Sequence, residues 1–151
     1  MVLFWSKGFD ILPSINKKVA IALLLMRLTI GAFFAVWASL KFLRPNWMEK
    51  VFHDVYHFSF ITQDHALAIG LMQGFVVFLF VIGMQRTYSY GIVFLMHSVG
   101  VVGSIPLLMK FTHYPSNLLW TAVPTLGAML ALFYLREYDI YTVDGWQDRA
   151  F

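Results

Sequence analysis

Three polar side chains lie inside stretches of sequence that are otherwise almost entirely apolar: Arg27, Gln73 and His97. A guanidinium and an amide can donate hydrogen bonds to the carbonyl oxygens of a quinone. An imidazole can exchange a proton near neutral pH. Because polar groups inside a membrane often mark functional positions, one hypothesis is that these three side chains contact a quinone. The alternative for Gln73 is a hydrogen bond within the chain. We assign no catalytic residue and no metal ligand to the chain.

Arg27 carries most of this argument, because an arginine in mid-membrane costs about 2.5–3.5 kcal/mol on insertion scales. No acidic residue lies in an apolar stretch. The candidate partners of Arg27 are therefore backbone carbonyls, Gln73, a quinone or lipid headgroup, or an acid on another subunit. The alternative is snorkelling, in which Arg27 and Lys41 lengthen the uncharged segment 28–40 to the width of the bilayer core. The acids are Asp10, Glu49, Asp54, Asp64, Glu137, Asp139, Asp144 and Asp148.

Arg27 shares one helix face with residues that follow it at spacings of three and four positions. These residues are Gly31, Phe34, Ala38 and Lys41. Small residues on this face predict close approach by a neighbouring helix. In the second apolar stretch, Gly70 and Gly74 form a GxxxG pair around Gln73, which is also typical of close helix packing.

His97 could bond to a neighbouring helix or contact a quinone. A haem would need a second histidine at matching depth, and the remaining histidines lie in loops or near span ends. We therefore expect no haem held by this chain alone, and the absence of cysteine excludes an iron–sulfur cluster. His53 and His57 have metal-binding spacing but no evident third ligand, so we interpret them as the polar face of a surface helix.

The composition is that of a membrane protein, with 60% hydrophobic and 13% charged residues. Soluble domains contain about 45–50% and about 25%, respectively. These values exclude a nucleic-acid-binding domain and most soluble enzymes. We predict an all-α fold, an integral membrane four-helix bundle that forms a single domain over residues 1–151. The predicted spans are residues 19–42, 66–84, 87–109 and 117–135.

Three segments lie outside these spans. Residues 1–18 are predicted to form an interfacial arm with a break at Pro13. Residues 46–64 are predicted to form an amphipathic interfacial helix between the first and second spans. Residues 136–151 are predicted to form a polar, aqueous tail that docks on another surface. The tight turn at residues 83–86 predicts that the second and third spans are antiparallel neighbours.

Four spans place both termini on one side of the membrane. That side carries more lysine and arginine than the other, which predicts cytoplasmic termini. The first residues lack the pattern of a cleavable signal peptide, so we expect the N-terminus to be retained.

A set of residues in the first two predicted spans, together with Arg86 just before the third, is similar to a known family pattern. These residues are Arg27, Leu28, Gly31, Phe34, Lys41, Gly70, Gln73, Gly74, Gly83 and Arg86. Over roughly residues 20–135 the chain resembles the DoxX/DoxD family of small four-helix membrane proteins. Gln73 stands where that family often has glutamate, and Ala38 where it often has glycine. The resemblance implies a prokaryotic inner membrane and a membrane subunit of a redox complex, such as thiosulfate:quinone oxidoreductase.

Two functional hypotheses follow. The first is a DoxX-like membrane subunit of a quinone-linked oxidoreductase, not catalytic by itself. The second is an accessory subunit that performs no chemistry within a larger respiratory or photosynthetic membrane assembly. Both require membrane lipid and other subunits as partners, and neither involves nucleic acid. A transporter or channel is the weaker alternative, because few polar residues are available to line a pore.

Overall fold

The computed structural model describes the backbone of residues 3–150 and the side chains of residues 16–147. This part of the chain is all-helical and contains no strand. Two 3-10 helices, Ser116–Thr121 and Arg136–Tyr138, flank the last long helix. The α-helices are α1 (Leu3–Leu43), α2 (Pro45–Asp54), α3 (Gln63–Ile82), α4 (Arg86–Gly103), α5 (Ile105–Leu108), α6 (Ala122–Tyr134) and α7 (Val143–Ala150).

Helix α1 is continuous from Leu3 to Leu43 and passes Pro13 without interruption. The predicted break at Pro13 is therefore wrong for the backbone. The interfacial character predicted for residues 1–18 depends mainly on side chains that lie outside the described part of the chain.

The predicted surface helix over residues 46–64 is shorter than expected. Pro45 occupies the first turn of α2, where a missing N–H costs nothing, and the helix ends at Asp54. His57 then adopts a left-handed conformation, with φ of 58°, that stops the helix from continuing. The buried Met48 and a stacked pair of Trp37 and Trp47 rings hold α2 against the rest of the fold.

Four helices surround a common apolar core. Helix α1 packs against α3 and α6, α3 packs against α4, and α4 packs against α6. The contact between α3 and α4 agrees with the tight turn predicted between them. The core consists of Leu23, Ile30, Phe34, Val77, Phe80, Tyr90, Val93, Met129 and Leu132.

In the described part of the chain, three segments are long and apolar enough to cross a membrane: Asn16–Leu43, Gln63–Ile82 and Ser116–Tyr134. They correspond to the first, second and fourth predicted spans. Helix α4, which corresponds to the third, is shorter and contains polar residues such as Arg86 and His97. Its membrane crossing stays a prediction.

Candidate functional site

The first polar cluster surrounds Arg27 and is buried. The guanidinium Nη1 of Arg27 donates to Oδ2 of Asp139 over 2.9 Å and to the hydroxyl of Tyr90 over 3.1 Å. The Tyr90 hydroxyl in turn donates to the same Asp139 oxygen over 2.7 Å. Nη2 of Arg27 donates to the backbone carbonyl of Tyr141. We call these residues the Arg27 cluster.

The partner of Arg27 is thus an acid of the same chain, which the sequence analysis did not identify. Asp139 follows α6 and lies outside every predicted span, yet its side chain is fully buried. A signal for this was present, because Tyr138, Ile140 and Tyr141 give the part of the tail around Asp139 an aromatic and apolar character.

Gly83 allows the tail to reach Arg27. Its φ of 69° is left-handed, a conformation that favours glycine. A Cβ atom at this position would lie 2.4 Å from Cγ2 of Thr142 and 2.7 Å from Nη1 of Arg27. A side chain here would therefore displace both the tail and the guanidinium.

Residues 136–147 of the predicted tail fold back onto the helices. Asp144 accepts hydrogen bonds from the backbone N–H groups of Gln85 and Arg86, over 2.9 and 2.8 Å, at the start of α4. Nη1 of Arg86 donates to the carbonyls of Arg136 and Asp139. The surface on which these residues dock is thus the same chain, and we call residues 136–147 the C-terminal strap.

Two atoms of the Arg27 cluster are buried without a hydrogen-bond partner, namely Nε of Arg27 and Oδ1 of Asp139. The ion pair is therefore only partly satisfied. Each ion depends strongly on the other, because the loss of one would leave the other as an uncompensated buried charge.

The second cluster joins Lys41 to Gln73. Nζ of Lys41 donates to Oε1 of Gln73 over 2.6 Å and to the carbonyl of Trp37 over 3.2 Å. Nε2 of Gln73 lies 3.5 Å from the carbonyl of Phe34. Lys41 is only 5% exposed and pairs with no carboxylate among the residues the structure describes. The buried cation without a counter-ion is thus Lys41 rather than Arg27.

The helix face predicted for α1 is confirmed, because all five of its residues are buried. A Cβ atom on Gly31 would lie 2.3 Å from Cγ2 of Val81, so α3 approaches this face closely. The face carries Arg27 towards one end and Lys41 towards the other. It thereby positions both polar clusters.

His97 lies between these clusters and bonds to a neighbouring helix. Its Nε2 is 2.9 Å from the carbonyl of Ala122, at the start of α6. The rings of Phe33 and Phe34 meet the imidazole edge-on, with centroids 5.8 and 5.9 Å away. The hydrogen bond to Ala122 corresponds to the alternative predicted for His97, in which the imidazole bonds to a neighbouring helix.

The three predicted quinone-contacting residues have separate partners. Arg27 pairs with Asp139, Gln73 with Lys41, and His97 with a backbone carbonyl. The predicted quinone contact stays a prediction. Among the described residues, no group of three or more His, Asp or Glu side chains could hold a metal ion.

The DoxX/DoxD resemblance likewise stays a prediction. No family model, no curated protein and no solved structure matches the chain.

Proposed function

We propose that the chain is a multi-pass integral membrane protein in which α1, α3, α4 and α6 form a four-helix bundle across the bilayer. The distribution of polar and apolar side chains supports this proposal, because it is the opposite of that in a water-soluble protein. The polar residues Arg27, Lys41 and Gln73 are buried, whereas Leu71 and Phe75 of α3 are 66% and 64% exposed. This arrangement suits a lipid environment, where ionisable groups face the protein interior.

The role that we propose is that of a non-catalytic accessory subunit in a larger membrane assembly of the respiratory or photosynthetic type. One observation carries this proposal: the polar side chains of the apolar helices form their hydrogen bonds within the chain. Such groups bond the helices and the strap to one another instead of converging on a substrate. The exposed aromatic and aliphatic surface is then available to lipid and to neighbouring subunits.

The test is purification of the tagged full-length chain from its native membrane in a mild detergent, followed by native mass spectrometry. We expect a defined complex with other membrane proteins at constant stoichiometry. Recovery of a lone monomer under conditions that preserve known complexes of the same membrane would contradict the proposal.

A second candidate is the DoxX-like subunit of a quinone-linked redox complex. The observation that favours it is the Lys41–Gln73 pair. An ammonium group has three donors, and Lys41 uses two of them, on Gln73 and Trp37. The remaining donor could bond a quinone carbonyl at this end of α1.

Quinone retention distinguishes the two candidates. The quinone content of the purified chain is measured for the wild type, for Lys41→Met and for the matched control Lys50→Met, which changes an exposed lysine of α2. A quinone subunit would retain quinone in the wild type and in Lys50→Met but lose it in Lys41→Met. Absence of quinone from all three preparations would contradict the quinone-linked role and favour the accessory role.

We further propose a prokaryotic inner membrane with both termini in the cytoplasm. Lys17 and Lys18 of α1 support this orientation, since the cytoplasmic side of a membrane protein is enriched in basic residues. A fluorescent protein fused to the C-terminus should mature and fluoresce. Activity of a fused alkaline phosphatase, which requires export, would contradict the orientation.

A further inference from the structure

We infer that the C-terminal strap is a re-entrant segment whose outer face contacts lipid instead of water. The inference rests on the proposed membrane insertion. It adds that residues 136–147 lie within the outer part of one leaflet, although the chain has already completed its last span. The occupant of the strap's outer surface is the acyl-chain and headgroup boundary of the bilayer.

The strap has its polar side chains inside and its apolar side chains outside. Asp139 and Thr142 are buried, whereas Tyr138 and Trp146 are 52% and 78% exposed. A segment in contact with water shows the opposite pattern. The exceptions are two exposed polar residues, Gln147 and the acid Glu137, and Glu137 pairs with Arg136 over 3.4 Å. Tyrosine and tryptophan are also the residues enriched where a membrane meets water.

The backbone N–H and carbonyl groups of the turn beneath the strap form their hydrogen bonds within the protein. The N–H groups of Gly83 and Met84 donate to carbonyls of α3, and those of Gln85 and Arg86 donate to Asp144. The carbonyl of Gly83 accepts from the N–H of Asp144, and that of Met84 accepts from the Ser89 hydroxyl. Irregular backbone is tolerated at membrane depth only where protein or a water-filled cavity satisfies it.

The packing of α1 on α3 fixes the level of this turn. Gly31 lies against Val81, and Gly70 lies against Lys41, so the two helices run antiparallel. Arg27 is therefore level with Gly83, where α3 ends. Lys18 is nine positions before Arg27, which is about 14 Å along a helix.

The depth of the strap in the membrane follows from the residues at which α1 and α3 can cross the membrane surface. Lys17 and Lys18 are exposed and suit the headgroup region, since basic side chains are attracted to anionic lipid. Residues 19–26 are all apolar, and Ile21 and Leu25 of this segment are exposed. If the surface lay at Arg27, this apolar helix would stand in water.

The opposite end gives a second limit. The apolar part of α3, residues 66–82, covers about 24 Å of a bilayer core that is about 30 Å thick. A boundary at Ala66 thus places the turn after Ile82 about 6 Å inside the other boundary. The first limit thus puts the Arg27 cluster and the strap about 14 Å below the headgroup level of Lys18, and the second puts them about 6 Å inside the hydrocarbon boundary.

The sequence contains no cysteine, so single cysteines can be introduced without other changes. Nitroxide spin labels are attached at Tyr138→Cys and Trp146→Cys in liposomes of phosphatidylcholine and phosphatidylglycerol. Collision rates are then measured with oxygen, which partitions into lipid, and with a nickel chelate, which remains in water. Lys18→Cys marks the surface, and Leu71→Cys marks the middle of α3.

We expect the strap labels to collide with the nickel chelate about tenfold less often than the label at position 18, and to collide readily with oxygen. Nickel collisions at both strap positions equal to those at position 18 would overturn the inference, provided that position 71 remains inaccessible to nickel. If position 71 were also accessible to nickel, the proposed membrane insertion itself would fail. The two failures are therefore distinguishable.

Discussion

Arg27 and Asp139 are 112 positions apart in the chain, and their side chains form a buried ion pair over 2.9 Å. This pair joins the first helix to the C-terminal strap. Because both groups are buried, the removal of one leaves the other as an uncompensated charge, whereas the removal of both does not. The first prediction depends on this asymmetry.

Asp139→Asn should lower the free energy of unfolding by about 3–5 kcal/mol, because Arg27 loses its counter-ion in a buried environment. The double variant Arg27→Met/Asp139→Leu should recover most of this loss. Unfolding of the detergent-solubilised chain, followed by circular dichroism, measures both. Glu137→Gln, at an exposed neighbouring acid, is the control. Equal stability of Asp139→Asn and the control would show that the pair contributes nothing.

Tyr90→Phe removes the hydroxyl that bonds both ions of the Arg27 cluster. We expect a loss of about 2 kcal/mol, since hydrogen bonds to charged groups contribute about 1.5–3 kcal/mol. Tyr88→Phe alters an exposed tyrosine of the same helix and should have no effect. Combined with Asp139→Asn, the Tyr90 change should cost less than it does alone, and strict additivity in the double-mutant cycle would argue against a shared network.

The glycines of the GxxxG pair differ in their surroundings. A Cβ atom at Gly70 would lie 2.9 Å from Cβ of Lys41, whereas nothing lies within 4 Å of one at Gly74. Gly70→Ala should therefore destabilise the fold by about 1–3 kcal/mol through overpacking between α1 and α3. Gly74→Ala should be neutral or slightly stabilising. Thermal unfolding of the two variants side by side tests this, and the reverse order would contradict the packing of α1 on α3.

Within the described part of the chain, the buried Lys41 of the Lys41–Gln73 pair has no carboxylate as counter-ion. Lys41→Met/Gln73→Leu should be at least as stable as the wild type, because apolar replacement of buried charged groups is often neutral or stabilising. Lys41→Met alone should be less stable than the double variant by about 1–3 kcal/mol, since it leaves Oε1 of Gln73 without a donor. Chemical denaturation in detergent gives both differences. A double variant that is less stable than the single one would exclude this explanation.

The helical elements and one helix face were predictable from sequence. The apolar stretches of α1 and α3 identify two long helices, and the spacing from Arg27 to Lys41 identifies the buried face of α1. These features depend on short-range periodicity. The partner of Arg27 was not predictable in this way, because Asp139 comes from a segment that periodicity assigns to solvent.

The position of the strap also explains why Arg27, and not Lys41, is paired with an acid in the described part of the chain. The sequence places all acids outside the apolar stretches, so it predicts for Arg27 a partner other than an acid of the same chain. A segment outside a span can nevertheless fold back beside it, as the strap does through Gly83 and Asp144. Among the residues that the structure describes, no segment brings a carboxylate to Lys41, which bonds to Gln73 instead. Tertiary folding of the tail, rather than local pattern, decides the difference.

The separation of the ion pair along the chain also sets an order of events during synthesis. At about 5–20 residues per second, the ribosome adds Asp139 about 6–22 s after Arg27, given their separation of 112 positions. During that interval the first helix has its arginine but not the acid that neutralises it. The buried surroundings of Arg27 in α1 are therefore complete only after the strap, which follows α6, has been synthesised.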